Sequence, residues 1–163
     1  MPYDILLVRR RPGRTVPETL DEQSAEFFAT YDPKAGRKVR PLRLDPEQRA
    51  AWERVIGRIS DEVGAVAVTA YPETLDAWRE GPASFFGLHY SGEKASIEIP
   101  YRYPDESALT VMTEAYQVAR IVEDETGLEG YDFEVDQDVR TGNVKVAAAR
   151  LAGVAHWAWD NLS

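Results

Sequence analysis

The chain has 163 residues, 44% of them hydrophobic and 10% aromatic, which suits one compact domain with a sizeable core over residues 1 to 163. It contains no cysteine, which excludes disulfides, thiolate zinc sites and a cysteine nucleophile. A net charge of -9 argues against nucleic-acid binding, where neutralising phosphates demands a basic face.

The charge is unevenly divided. Residues 1 to 60 carry 12 Lys and Arg against 9 Asp and Glu, whereas residues 61 to 163 carry 7 against 19. The first apolar run, ILLV, is short and its arginines follow it, the reverse of a signal peptide's order. Nothing approaches the roughly twenty apolar residues of a membrane span. The expectation is a cytoplasmic protein with no membrane partner.

PYDILLV (2 to 8) reads as a buried first strand. After the break RRRPGRT, residues 16 to 31 read as a helix with Thr15 as cap, Pro17 in the first turn, and Leu20, Phe27 and Phe28 as apolar contacts. A basic loop, DPKAGRKVRPLR, follows. DPEQRAAWERVIGRISDEVG (45 to 64) starts with Asp45 as cap, Pro46 at the first helical position and Gln48 at capping-box spacing. Its apolar face is Trp52, Val55, Ile56, Ile59 and Val63.

GAVAVTAY reads as a strand, PETLDAWREGP as an irregular link, and FFGLHY, SGEK and ASIEIPY as a hairpin. DESALTVMTEAYQVARIVEDETG (105 to 127) is an amphipathic helix with Leu109, Met112, Tyr116, Ala119 and Val122 on one stripe and Gly127 as its left-handed stop. LEGYDFEV is expected as a strand, TGN as a turn, and the remainder as a closing helix on Val144, Ala148, Leu151, Ala155, Trp159 and Leu162, weakened by Gly153. The order predicts an α+β fold: a mainly antiparallel sheet covered by helices, of the split βαβ, ferredoxin-like kind, with an added C-terminal helix.

Four segments carry a resemblance. YDILLVRR with PG close behind, LDPEQRAAWERV, ASIEIPY and ARIVEDETGLEGYD together resemble a group of small uncharacterised bacterial proteins, most familiar from actinobacteria. That group begins YD plus an aliphatic residue, has a VPY-like strand end, and continues TG, a few residues, then YDPQ. The resemblance spans about residues 3 to 133; Phe133 and Glu134 stand where the group has PQ. It implies kinship but no reaction, cofactor or catalytic residue. Some relatives occur beside toxin and immunity genes.

Tests for chemistry are mostly negative. Counting a calcium loop from Asp132 puts Gln137 where glycine is needed and Asn143 where the final acid is needed; counting from Asp136 puts Arg140 and Ala147 at ligand places. No phosphate loop, dinucleotide fingerprint, nucleophile elbow or zinc-protease motif occurs. No metal or cofactor is expected. His89 and His156 are the only histidines and read as locally satisfied residues, the first on a strand and the second packed on a helix. The basic clusters 9 to 14 and 34 to 43 read as solvated surface or as internal partners for the acidic half.

Two functional expectations follow. In YDFEVDQDV, Asp132, Glu134, Asp136 and Asp138 alternate with other residues, and no Lys or Arg occurs from 121 to 139. As a strand this segment would present one acidic face, suited to a non-enzymatic protein-binding module, immunity- or inhibitor-like, that meets a basic protein. The alternative is a small-molecule enzyme or ligand sensor with a pocket formed by Tyr90, Glu98, Tyr101 and Tyr103. A homodimer joined through Trp157 and Trp159 is the structural option.

Overall fold

A computed structural model describes residues 2–36, 38–79 and 86–162; the Phe85 that opens FFGLHY and the side chain of Leu162 lie outside the described residues. Strand β1 spans Tyr3–Val8, followed by helices α1 (Val16–Thr30) and α2 (Pro46–Glu62). Strands β2 (Val66–Ala70), β3 (Leu75–Arg79), β4 (Phe86–Tyr90) and β5 (Lys94–Ile99) form a meander. Helix α3 (Asp105–Thr126), strands β6 (Glu129–Asp132) and β7 (Gln137–Asp138), and helix α4 (Val144–Leu162) complete the chain.

All strands join one antiparallel sheet in the order β2-β3-β4-β5-β1-β6-β7. The inner four, β4-β5-β1-β6, together with α2 and α3 have the ferredoxin-like order, and the split βαβ unit is β1-α2-β4 with β5 between the strands. The fold is therefore α+β with a C-terminal helix. The expected irregular link at 72–82 is in part the strand β3, whose Leu75, Asp76 and Ala77 are all buried and so lack the alternation that marks a half-exposed strand.

Helix starts follow their local chemistry. Thr15 and Asp45 each cap through a reciprocal box, with Glu18 and Gln48 reaching back to the cap's own N–H. Gly127 stops α3 at φ 73°.

One face of the sheet carries Tyr3, Ile5, Leu7, Leu88, Ile97 and Ile99 into the main core, where α2, α3 and α4 cover them. Helix α3 lies between α2 and α4. The other face is treated differently: Val8 and Tyr131 meet Val16 and Leu20 of α1, and among the described residues no other helix packs there. Phe27 and Phe28, expected as contacts of α1, are exposed and pack on each other and on Tyr31. The rest of that face, on β3, β4 and β5, carries Asp76, Trp78, His89, Ser96 and Glu98.

Candidate functional site on the open sheet face

Strand register assembles the site. Asp76 of β3 stands opposite His89 of β4, which stands opposite Ser96 of β5; one row away, Gly87 stands opposite Glu98, and Glu98 opposite Asp4 of β1. Because side chains alternate across a sheet, these residues share the face that α2, α3 and α4 do not cover.

Asp76 is only 5% exposed, yet it is fully engaged. Thr74 donates to its Oδ1 at 2.8 Å, and its Oδ2 lies 3.0 Å from His89 Nδ1. This contact assigns the Nδ1–H tautomer to the neutral ring. Nε2 then points away from Asp76. It lies 3.5 Å from Glu98 Oε2, within ion-pair range but without hydrogen-bond geometry, and it is shielded from solvent.

Trp78 completes the arrangement. Its indole meets the His89 ring edge-on, with centroids 5.4 Å apart, and lies across β4 so closely that a Cβ on Gly87 would come within 2.7 Å of it. Only glycine leaves room for the indole there. A cavity of about 290 Å3 opens beside His89, lined also by Leu6, Leu20, Thr74 and Ser96.

The electrostatics are unusual for a sheet surface. Asp4 and Glu98 are cross-strand partners of like charge, a pairing that disfavours the folded state. Burial first, and then the charges of Glu98 and Glu134, push the Asp4 carboxyl above its ordinary range. Asp76, His89 and Ser96 stand in the order of an acyl-transfer triad, but no hydrogen bond joins Ser96 to His89. The geometry provides an oriented acid–base group beside a cavity rather than an activated serine. Among the described residues no three His, Asp or Glu side chains converge as metal ligands.

The acidic segment is arranged otherwise than its alternation suggests. Strand β6 ends at Asp132 and a tight turn over 133–136 leads into β7, so the four carboxylates do not share one face. Asp132 pairs with Ile5 and points into the core. There it accepts hydrogen bonds from the Tyr3 hydroxyl at 2.6 Å, from the Tyr116 hydroxyl, and from the Glu134 N–H at 3.1 Å. Gln137 donates in turn to Tyr116 at 2.7 Å. Burial holds the Asp132 carboxyl above its usual range, against the opposing effect of the two tyrosines.

The other three acids point to different places. Glu134 accepts from Tyr101 at 2.9 Å and from Arg150 at 3.3 Å. Asp136 sits in the turn at φ 55° and accepts from the Tyr131 hydroxyl, while Asp138 is exposed beside Arg10, Arg14 and Arg140.

Neighbouring acids are paired too. Arg58 reaches Glu62, Asp124 and Glu125 at 3.0, 3.1 and 3.2 Å, Arg54 reaches Glu125 at 2.9 Å, and Arg10 reaches Glu129 at 2.7 Å. Arg140, and secondarily Arg58, hold Asp124 below the usual carboxylate range.

The expected tyrosine pocket is not assembled. Tyr90 faces the main core, stacked on Trp52 with its hydroxyl donating to the Gln48 carbonyl, and Tyr103 is buried. Tyr101 packs edge-on against Tyr3 and borders a cleft of about 550 Å3 between the start of α3 and the end of α4, away from Glu98. Of that set, Glu98 lies 3.5 Å from His89 Nε2 and Tyr90 borders the cavity beside His89.

The two tryptophans are also separated. Two residues on a helix turn about 200°; Trp159, 78% exposed, borders the cleft with Tyr101, while Trp157 lies over Gly153 on the outer side. His156 is exposed rather than packed, with Nε2 3.0 Å from Asp105.

Asp76 and Trp78 are the site residues that sequence reasoning missed. They lie in the stretch read as irregular, and their only signal is a tryptophan and an aspartate two places apart. The chain matches no protein-family model, no curated protein and no solved structure.

Proposed function

We propose that this protein binds a small organic molecule on the open face of its sheet, with His89 as the group that exchanges a proton with it. The reading rests on the Asp76–His89 pair. A carboxylate withdrawn from water holds one ring nitrogen, and the other is shielded, without a hydrogen-bond partner, beside a cavity.

A buried polar atom left in that state costs on the order of 1–3 kcal/mol, so such arrangements concentrate where a ligand completes them. With its proton on Nδ1, the ring has an Nε2 lone pair that accepts a proton from a bound molecule. Asp76 then faces the imidazolium that forms, Trp78 packs edge-on against the ring, and Leu6 and Leu20 supply apolar wall to the cavity. Lys94, which lines the cavity with His89, favours ligands that accept hydrogen bonds or carry negative charge.

Recognition of a basic protein through the acidic segment has less support. Of its four acids Asp132 is buried, Glu134 already holds Arg150 and Asp136 accepts from Tyr131, which leaves Asp138 exposed.

Titration of isotope-labelled protein with small amines, alcohols and carboxylic acids tests the proposal. A binding class is expected to shift the His89 ring resonances together with amides of β4 and β5, and His89→Gln is expected to weaken it by about tenfold or more. Ligands that bind only elsewhere, or that bind His89→Gln equally well, would show the sheet-face reading to be wrong.

A further inference from the structure

We infer that the outer side of α4 is a docking surface for the same side of a second copy of this chain, antiparallel, about a two-fold axis at Gly153. The inference rests on α4 alone and is independent of the sheet-face site. Ala147, Ala148, Leu151 and Ala155 bury the inner side of α4. At about 100° per residue, Val146, Ala149, Gly153, Trp157 and Asp160 fall on the opposite side. There a cavity of about 420 Å3 is lined by Ala149, Arg150, Gly153, Val154 and Trp157. Trp157 is 61% exposed.

Gly153 is the informative residue. Glycine is a poor helix former, yet a Cβ at this position would meet nothing within 4 Å. The chain's own packing does not require it. Gly57 of α2 has similarly open surroundings, but its helical neighbours are Glu53, Arg54 and Asp61. Of these two, Gly153 is the one whose missing side chain lies beside an exposed tryptophan. A glycine at a helix surface lets another backbone approach closely.

The occupant follows from self-complementarity. In an antiparallel pair centred on Gly153, residues equally far before and after it face one another. Trp157 is four places after and Ala149 four before, so each tryptophan enters the hole above the partner's Ala149, and the contact is made twice, as two-fold symmetry requires.

Charge agrees. Lys145 and Arg150 lie in the N-terminal half of α4 and Asp160 at its C-terminal end, so antiparallel docking sets opposite signs together and opposes the two helix dipoles. Arg150 already holds Glu134 at 3.3 Å and adds little repulsion. Parallel docking would set like ends together.

The test uses the full chain in sedimentation velocity and, because it lacks cysteine, in cross-linking. Wild type is expected to sediment as a dimer and Gly153→Leu as a monomer with undiminished helical signal. Gly153→Cys is expected to oxidise to a covalent dimer faster than Phe28→Cys, a site of 71% exposure on α1. Should Gly153→Leu not fold, Trp157→Ala serves in its place, with association weakened by about tenfold or more. A monomeric wild type, a dimer that survives both substitutions, or cross-linking no faster at 153 than at 28 overturns the inference.

Discussion

Asp132 shows how one residue can invert an expectation. The alternation of YDFEVDQDV puts it on a wet face, but β6 pairs with β1 so that Asp132 stands opposite Ile5 and enters the core. The signal that could have located it lies elsewhere, in Tyr3 and Tyr116. Each is a tyrosine at an otherwise apolar position, and a buried phenol needs an acceptor. Asp132→Asn is expected to lose about 1–3 kcal/mol, because the amide cannot serve two hydroxyl donors and a backbone N–H as the carboxyl group does.

The pH dependence has a definite sign. The folded-state pKa of Asp132 is raised, so the native state binds more protons than the unfolded chain above the ordinary aspartate range. Stability from this group is therefore greatest at acidic pH and falls as pH rises through the raised value. Urea unfolding should show a difference between wild type and Asp132→Asn that shrinks from acidic to neutral pH. A difference that grows would contradict the assignment.

At the scale of elements, helix boundaries were legible because their signals are local. Asp45, Pro46 and Gln48 contain the whole capping geometry within four residues, and the structure reproduces it. Asp45→Ala is expected to destabilise by about 1 kcal/mol, which for a chain of this size lowers the midpoint by about 2–4 °C in a thermal melt. Strands fared less evenly. β5 alternates Ile97 and Ile99 with Ser96 and Glu98 and was readable, whereas β3 is buried on both sides along Leu75, Asp76 and Ala77 and was not. A strand whose inward and outward residues are both covered owes its identity to its neighbours. The same limit hid the site: Asp76, His89 and Ser96 become adjacent only once β3, β4 and β5 pair.

Over the whole molecule, the uneven charge resolves into internal pairing. Arginines from the first sixty residues, Arg10, Arg54 and Arg58, hold Glu129, Asp124 and Glu125 in the later half. The imbalance along the chain is thus partly a record of which segments meet. Sheet order also ranks local stability. β1 and β5 lie inside the sheet over the main core, while β2 is an edge strand and is exposed along Ala67, Val68, Thr69 and Ala70. Hydrogen exchange should be slowest in β1 and β5, approaching global unfolding, and fast at the outward amides of β2. Comparable protection of β2 would mean that this edge is covered in solution.

What the sequence by itself determined is what short-range chemistry encodes: the α+β class, the four helices, the caps of α1 and α2, the glycine stop of α3, and the alternating strand β5. None of the described helices is long and apolar enough to cross a membrane. What only the tertiary structure decided is which face each strand shows and which distant side chains become neighbours. A one-residue shift in register turns every side chain to the other face, and register is set by pairing between segments far apart in the chain. That is why the acidic alternation at 132–138 misled, and why Asp76 and His89, 13 positions apart, form the site.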